Sequence, residues 1–268
     1  MTPFDFSPFR AVLLDLDGTL AHDDHALPGA ADLVRRLQAM HKIVGVISNS
    51  GAGPLRVQMR LHGMAIEVDA ARIYTAAAHA ADHVLERFSP EKLGRRVRVF
   101  NLSTLAIHDM LDGRVDWVKT GGEPCDVVAV AAPTSQHYSE DRARIALQLA
   151  RGGAAIVGLC SDRVFPSRRG IEFGSGALTQ LLAYAANATP SYCGKPQAEF
   201  FTDFCKHLGV NTNECVLIGD NLEADIAGGL NVGISGILTL TGVSRRRDVM
   251  MVPENLRPMA IVEDLTQL

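Results

Sequence analysis

Two aspartates separated by one residue are the first candidates for chemistry in this sequence: Asp15 and Asp17, in the run DLDGTL at 15–20. They follow an apolar stretch, 11–14, that is typical of a buried strand. Neighbouring carboxylates repel one another and resist losing water, and a divalent cation relieves both problems. One carboxylate suits a nucleophile that forms an aspartyl-phosphate, and the other suits a general acid and base. The alternative is a strand end that uses Asp and Gly only to turn.

Two further segments carry groups that suit a phosphate site. Ser48 and Asn49 follow the apolar strand 43–47, and a hydroxyl with backbone N–H groups before a helix forms an anion site. Lys195 precedes an amphipathic helix over 198–208 and would bring a fixed positive charge. Each segment also has a plainer interpretation, in which Ser48 and Asn49 cap a helix and Lys195 is a solvated surface residue.

A second acidic segment lies near the C-terminus. The short apolar strand 216–218 ends in Gly219 and Asp220, and Asp225 follows five positions later. Carboxylates here would complete a magnesium site together with waters and phosphate oxygens. Asp225 also has the position of a first-turn acid that complements a helix dipole, and the two interpretations are compatible. All four segments occur at predicted strand ends or helix starts, which favours one shared phosphoryl-transfer site.

These segments resemble, in order, the four motifs of the haloacid dehalogenase superfamily of phosphohydrolases. Further matches at 27–30, 73–77, 174–178 and 238–244 resemble the group with a class IIA cap, which contains 4-nitrophenyl phosphatase-like and phosphoglycolate phosphatases. The resemblance extends over nearly the whole chain. It implies Mg²⁺-dependent hydrolysis of a small-molecule phosphate monoester through an aspartyl-phosphate intermediate.

The resemblance also implies a role for each motif residue. By this resemblance, Asp15 is the nucleophile and a metal ligand, and Asp17 is the general acid and base, with its backbone carbonyl on the metal. Ser48 and the Asn49 backbone bind the phosphate, and Lys195 bridges phosphate and nucleophile. Asp220 and Asp225 belong to the metal site, Asp220 as a ligand and Asp225 as a residue that orients a metal-bound water or an outer-shell group.

The elements that must position these residues alternate between strand and helix. This alternation predicts an α/β fold with a doubly wound parallel sheet. After about residue 75 the alternation restarts, with a helix over 76–88 and a strand over 96–100, so the insertion between the second and third motifs is a folded α/β cap domain. We expect the catalytic core to comprise 1–76 and 190–268, and the cap to comprise 77–189.

One cap segment, 160–170, follows a predicted strand and resembles the specificity loop of class IIA caps. It departs from the Thr-Asn-Pro-Asp that is usual there. Phe165 has the position of a substrate-facing residue that packs on a flat or hydrophobic leaving group, and Arg163 and Arg168 would pair with a second anionic group. The alternative is that Phe165 belongs to the core and the arginines are solvated.

The composition of the chain limits the kinds of partner that it is expected to bind. The chain has 268 residues and a net charge of −4, so no bulk positive field attracts nucleic acid. We find no secretory signal and no apolar run of membrane-spanning length, and we expect no membrane partner. Five cysteines without a C-x-x-C pair favour free thiols in a reducing compartment, which predicts a cytoplasmic location. The resemblance leaves a homodimer open.

Two other functions remain open from the sequence. A phosphotransferase or phosphomutase on the same scaffold would use the same four motifs and pass the phosphoryl group to a second hydroxyl. A non-catalytic ligand-sensing protein would retain the fold. The presence of Asp15, Asp17, Lys195 and Asp220 counts against the second alternative.

Overall fold

The structure is a computed structural model, and it describes residues 4–133, 137–167 and 170–268. The strands in chain order are β1 Ala11–Leu14, β2 Ala21–His22, β3 His25–Ala26, β4 Ile43–Ser48, β5 Ile73–Thr75, β6 Arg98–Leu102, β7 Asp116–Trp117, β8 Val127–Val130, β9 Ala155–Gly158, β10 Val164–Ser167, β11 Gly170–Phe173, β12 Ser191–Tyr192, β13 Cys215–Gly219, β14 Ser235–Thr239 and β15 Ala260–Val262. The α-helices are α1 Ala30–Ala39, α2 Pro54–His62, α3 Ala76–Arg87, α4 Pro90–Leu93, α5 Leu105–Leu111, α6 Glu140–Arg151, α7 Ser175–Ala186, α8 Ala198–Leu208 and α9 Gly228–Leu230.

The predicted bounds agree at both ends with the structure for one amphipathic helix and one fully apolar strand. The helix predicted over 198–208 is confirmed at both ends by α8, and the strand predicted over 11–14 is β1. The strand predicted over 96–100 begins and ends two residues later, as β6. Pairing sets that strand's bounds, because β6 is in register with β8 from Val99 to Leu102.

The chain divides into two compact units. Unit 1 comprises residues 1–48, 54–74 and 195–268, and unit 2 comprises 49–53 and 75–194. The core and cap ranges predicted from the sequence, with boundaries at 76/77 and 189/190, remain predictions about domains.

Unit 1 contains a six-stranded sheet in the order β15-β14-β13-β1-β4-β5. The pairings of β1 with β13 and with β4 are parallel, and every residue of β1 and β13 is buried. Helix α8 packs closely on this sheet at Gly45 of β4. A Cβ at that position would lie only 2.9 Å from the Phe204 ring, so the close packing requires glycine there. Tyr74 stacks on both Phe200 and Phe204 of α8, with ring centroids 5.3 Å apart in each pair.

Unit 2 contains its own five-stranded parallel sheet, in the order β12-β9-β8-β6-β7. Alternate residues of the central strands enter two different apolar cores. Val99 and Val127 pack with side chains of α3 and α5, whereas Phe100 and Val128 pack with side chains of α6 and α7. Helices therefore cover both faces of the sheet, as a doubly wound α/β fold requires.

The predicted specificity loop, 160–170, contains the strand β10 and the first residue of β11. Strands β10 and β11 form an antiparallel hairpin within 160–173, and Phe165 pairs with Glu172 across it. Short alternating runs of β-branched and aromatic residues favour strand pairing, and this signal was missed in the sequence. No helix in the described part of the chain is long and apolar enough to span a membrane.

Candidate active site

Three neighbouring strands of unit 1 end in polar residues. Asp15 follows β1, Ser48 is the last residue of β4, and Asp220 follows β13. The carboxyl ends of adjacent parallel strands meet at one edge of the sheet, where α/β proteins bind ligands. All three side chains are buried in unit 1.

Lys195 joins two carboxylates from distant parts of the sequence. Its Nζ donates to Asp15 Oδ1 at 2.5 Å, to Asp225 Oδ1 at 2.6 Å and to the Ile47 carbonyl at 3.3 Å. The lysine is only 3% exposed, so the interpretation of Lys195 as a solvated surface residue is wrong. Asp225 is 1% exposed and also accepts a hydrogen bond from the Asn221 backbone N–H, so it is more than a helix-dipole acid.

Burial controls the electrostatics of this cluster. It raises the pKa of Asp15 well above its ordinary value, with repulsion from Asp225 and Asp220 adding to the shift and Lys195 opposing it. Burial, followed by repulsion from Asp225, raises the pKa of Asp220 to about 6. Burial also opposes the charge on Lys195, but Asp15 and Asp225 outweigh it and raise the pKa of the ammonium group. The cluster therefore has more negative charge than one lysine neutralises.

A divalent cation fits this excess of negative charge. Carboxylate oxygens of Asp15, Asp220 and Asp225 all lie within 4.8 Å of one another. Oxygen-only ligand sets suit Mg²⁺ rather than Zn²⁺, and a cation would offset both the burial and the mutual repulsion that raise the carboxyl pKa values. These residues could hold the ion.

The segment 241–244 fixes Asp220, a function that the sequence did not reveal. The Val243 backbone N–H donates to Asp220 Oδ2 at 2.6 Å, and Thr241 Oγ1 donates to the Gly18 carbonyl at 2.5 Å. Gly18 has a φ of +91°, and a Cβ there would lie 2.6 Å from Asp220 Oδ2. The Gly in the DLDGTL run therefore gives the turn its conformation and leaves room for the carboxylate.

The Asp17 side chain hydrogen-bonds to a residue outside the Lys195 cluster. The Asp17 side chain is 57% exposed, and its Oδ1 accepts a hydrogen bond from Arg60 Nη2 at 2.8 Å. Arg60 is a residue of α2 that the sequence did not single out. No motif marks it, because an arginine on an amphipathic helix is ordinary.

The remaining predicted site residues belong to unit 2. Asn49 Nδ2 donates to Asp162 Oδ2 at 3.0 Å. Arg163 is exposed, and Phe165 is half-buried on the hairpin, so it is neither a fully buried core residue nor a free surface residue. Arg168 lies outside the described residues.

Cys160 begins the same cap segment and is buried. Its thiol donates to Asp162 Oδ2 at 3.1 Å and lies 2.8 Å from Ser175 Oγ. Burial raises the pKa of Cys160 to about 12, so it stays a neutral thiol. All five cysteines are free.

The sequence is similar to those of known hydrolases over most of its length. A family model described as haloacid dehalogenase-like hydrolase matches residues 12–112, and one described as HAD-hydrolase-like matches residues 192–268. The human haloacid dehalogenase-like hydrolase domain-containing protein 2 is 30% identical over 240 residues, 89% of this chain and 87% of the relative. An acid sugar phosphatase from Staphylococcus epidermidis is 28% identical over 242 residues, 90% of each chain.

Solved structures share the fold. A 4-nitrophenylphosphatase from Thermotoga maritima has a TM-score of 0.86 at 25% identity and covers 98% of this chain and 97% of its own. The glycerol phosphate phosphatase of Mycobacterium tuberculosis, crystallised with magnesium, also has a TM-score of 0.86. It is 23% identical, and the match covers 98% of this chain and 78% of that one.

The doubly wound α/β fold and the matches to hydrolase family models together define the class of this protein as a hydrolase. The chain belongs to the haloacid dehalogenase-like hydrolase family. Within that family it is a phosphatase with a class IIA cap, and the resemblance stated from its motifs is confirmed.

Proposed function

We propose that this chain hydrolyses a small-molecule phosphate monoester through an aspartyl-phosphate on Asp15, with Mg²⁺ as its cofactor. The observation that supports this most directly is the buried lysine, with Nζ 2.5 Å from Asp15 and 2.6 Å from Asp225. Fixed positive charge beside a carboxylate nucleophile is what phosphoryl transfer requires of a protein, because its chemistry is mainly positioning and charge stabilisation.

In the first step, an oxygen of Asp15 attacks phosphorus and the ester P–O bond breaks. The leaving oxygen takes a proton from the Asp17 carboxyl group. Lys195 keeps its proton, because its pKa is raised, and neutralises charge on the phosphoryl group. The Ser48 hydroxyl and the Asn49 backbone N–H donate to phosphoryl oxygens.

In the second step, a water molecule attacks phosphorus and gives a proton to the Asp17 carboxylate. The bond between phosphorus and the Asp15 oxygen breaks, inorganic phosphate leaves, and both aspartates return to their starting states. One residue thus acts as acid and then as base, which accounts for a second aspartate two positions from the nucleophile.

The carboxylates of Asp15, Asp220 and Asp225, with the Asp17 backbone carbonyl, would hold Mg²⁺. When bound, the ion supplies the positive charge that lets a phosphate dianion approach a carboxylate nucleophile. The raised pKa values of Asp15 and Asp220 support this assignment, because burial and repulsion between the carboxylates both disfavour their charged forms and a cation would offset both effects.

We assign the catalytic domain to 1–76 and 190–268, and recognition of the rest of the substrate to the cap, 77–189. Within the cap, Arg163, Phe165 and Arg168 are the proposed specificity residues. The relatives' names include acid sugar, 4-nitrophenyl and glycerol phosphate phosphatases, so the proposed substrates are phosphate esters of small metabolites. A homodimer and a cytoplasmic location stay predictions.

A panel of sugar phosphates, glycerol phosphate, nucleoside monophosphates and 4-nitrophenyl phosphate tests the proposal. We expect free phosphate in the presence of Mg²⁺, none after EDTA treatment, and recovery when Mg²⁺ is restored. Analysis of the organic product separates the alternatives, because a phosphorylated isomer in place of free phosphate would identify a mutase. Absence of turnover across the panel would favour a ligand-sensing protein.

A further inference from the structure

Arg60 contacts the segment that carries Asp17 at two points. Its Nη2 donates to Asp17 Oδ1 at 2.8 Å, and its Nε donates to the Asp23 backbone carbonyl at 2.9 Å. Nη2 also donates to that same carbonyl. One guanidinium group on α2 therefore connects the Asp17 side chain to the turn between β2 and β3.

The surroundings of Asp17 explain why such a contact matters. Asp15 and Asp225 are held by a buried lysine, whereas the Asp17 side chain is 57% exposed. Among the described residues, Arg60 is the one side chain that hydrogen-bonds to the Asp17 carboxylate. An exposed carboxylate on a turn keeps its rotamer freedom unless a partner fixes it, and a general acid must lie within hydrogen-bond reach of the leaving oxygen.

Arginine suits this function better than lysine. Its planar guanidinium group presents several donors in a rigid arrangement, so it can bind a carboxylate and a carbonyl at once. The Arg60 side chain is itself only 25% exposed, which limits its own movement. The second anchor, on Asp23, makes the interaction directional where a single exposed ion pair would not be.

We propose that Arg60 is a positioning residue that holds Asp17 in the orientation needed for proton transfer to the leaving group and from water. The inference rests on the proposed function. Arg60 acts through Asp17 and has no direct contact with the reacting atoms. Its removal should therefore impair only those steps in which a proton is transferred.

The leaving group supplies a sharp test. A 4-nitrophenolate ion leaves without protonation, whereas phenolate from phenyl phosphate benefits from a general acid, and the two esters have nearly the same shape. General acid–base catalysis contributes about 10²–10⁴-fold, so Arg60→Gln should lower kcat/KM for phenyl phosphate by about 100-fold and for 4-nitrophenyl phosphate by under about 10-fold. The parameter kcat/KM reports only the steps up to release of the leaving group, so the later hydrolysis of the aspartyl-phosphate does not affect it.

The hydrolysis step gives a second readout. Water activation also needs Asp17, so Arg60→Gln should release a rapid burst of 4-nitrophenolate and then turn over slowly. Arg60→Lys keeps the charge but offers a single ammonium group, and should fall between wild type and Arg60→Gln in both readouts. Arg56→Gln, one turn earlier on α2 at an exposed position, is the matched control and should leave both readouts unchanged.

A double-mutant cycle separates failure of this inference from failure of the proposed function. Near wild-type kcat/KM for Asp17→Asn with phenyl phosphate would overturn the proposed function itself. If Asp17→Asn is impaired, adding Arg60→Gln should cause no further loss. Additive losses, or an equal loss of kcat/KM for both esters, would overturn the inference and make Arg60 a structural residue. If Arg60→Gln folds poorly by circular dichroism, the same cycle with Arg60→Lys decides the question.

Discussion

The charged cluster of unit 1 and the hairpin of unit 2 place their proposed functional residues in opposite environments. Asp15, Lys195 and Asp225 are at most 5% exposed and hold one another through short hydrogen bonds. On the hairpin, Ile171 is 81% and Phe173 is 69% exposed, and Phe165 is half-buried. The difference is the one expected if the cluster carries out the reaction and the hairpin recognises the rest of the substrate.

The demand on the cluster is electrostatic. Charges that act on a phosphoryl group are most effective in a dry site where they are already oriented, and burial provides this at the cost of raised carboxyl pKa values. Recognition of the rest of a substrate needs contact area, which an exposed hairpin offers without desolvating charge. Substitutions in the two regions should therefore differ in size and in selectivity.

The largest expected effect is that of Asp15→Asn. An amide is not a nucleophile toward phosphate esters, so turnover should fall by several orders of magnitude, as it does when other covalent nucleophiles are removed. Phosphate release from 4-nitrophenyl phosphate measures the loss. Asp32→Asn, at an exposed position of α1, serves as the control. Near wild-type turnover by a folded Asp15→Asn protein would contradict the proposed mechanism.

The second-largest expected effect is a stabilisation of the folded protein by Mg²⁺ that depends on pH. The pKa of Asp220 is about 6 in the folded chain, against 3.8 for a free side chain. Between those values the folded state binds a proton that the unfolded state has released, so this group's contribution to the stability of the metal-free protein falls as pH rises through the interval. Above about pH 6 Asp220 is ionised, and Mg²⁺ no longer competes with a proton.

The measurement is Tm with and without Mg²⁺ at two pH values. The rise caused by Mg²⁺ should be larger at pH 7.5 than at pH 5, and Asp220→Asn should reduce it at pH 7.5. Asp32→Asn should behave like the wild type. An equal rise at both pH values would show that Asp220 does not take part in metal binding.

The smallest expected effect is that of Phe165→Ala. Loss of an aromatic contact costs about 1–3 kcal/mol for a substrate that uses the contact and nothing for one that does not reach it. The ranking of substrates by kcat/KM should therefore change, with glycerol phosphate, whose leaving group is small and polar, least affected. Ile171→Ala, at an exposed position of the hairpin, is the control. An equal loss for all substrates together with a lower Tm would make Phe165 a packing residue.

Much of the core could be predicted from local sequence patterns. Apolar runs followed by Asp or Ser marked the ends of β1, β4 and β13, and the amphipathic pattern over 198–208 marked α8. These features depend on the period of a strand or helix and on side chains a few residues apart, so the sequence contains them directly. The hairpin was missed because a short apolar run between arginines fits a loop as well as a strand.

The sequence by itself determined that two carboxylates, a hydroxyl, a lysine and a second acidic pair stand at the ends of predicted elements. Only the tertiary structure decided whether Lys195 is a surface residue or the buried partner of Asp15, 180 positions away. It alone brought Arg60 to Asp17, 43 positions apart, and the Val243 backbone to Asp220. The physical reason is that burial and hydrogen bonding are properties of the packed chain, and a charged side chain has the same local pattern whether it meets water or another charge.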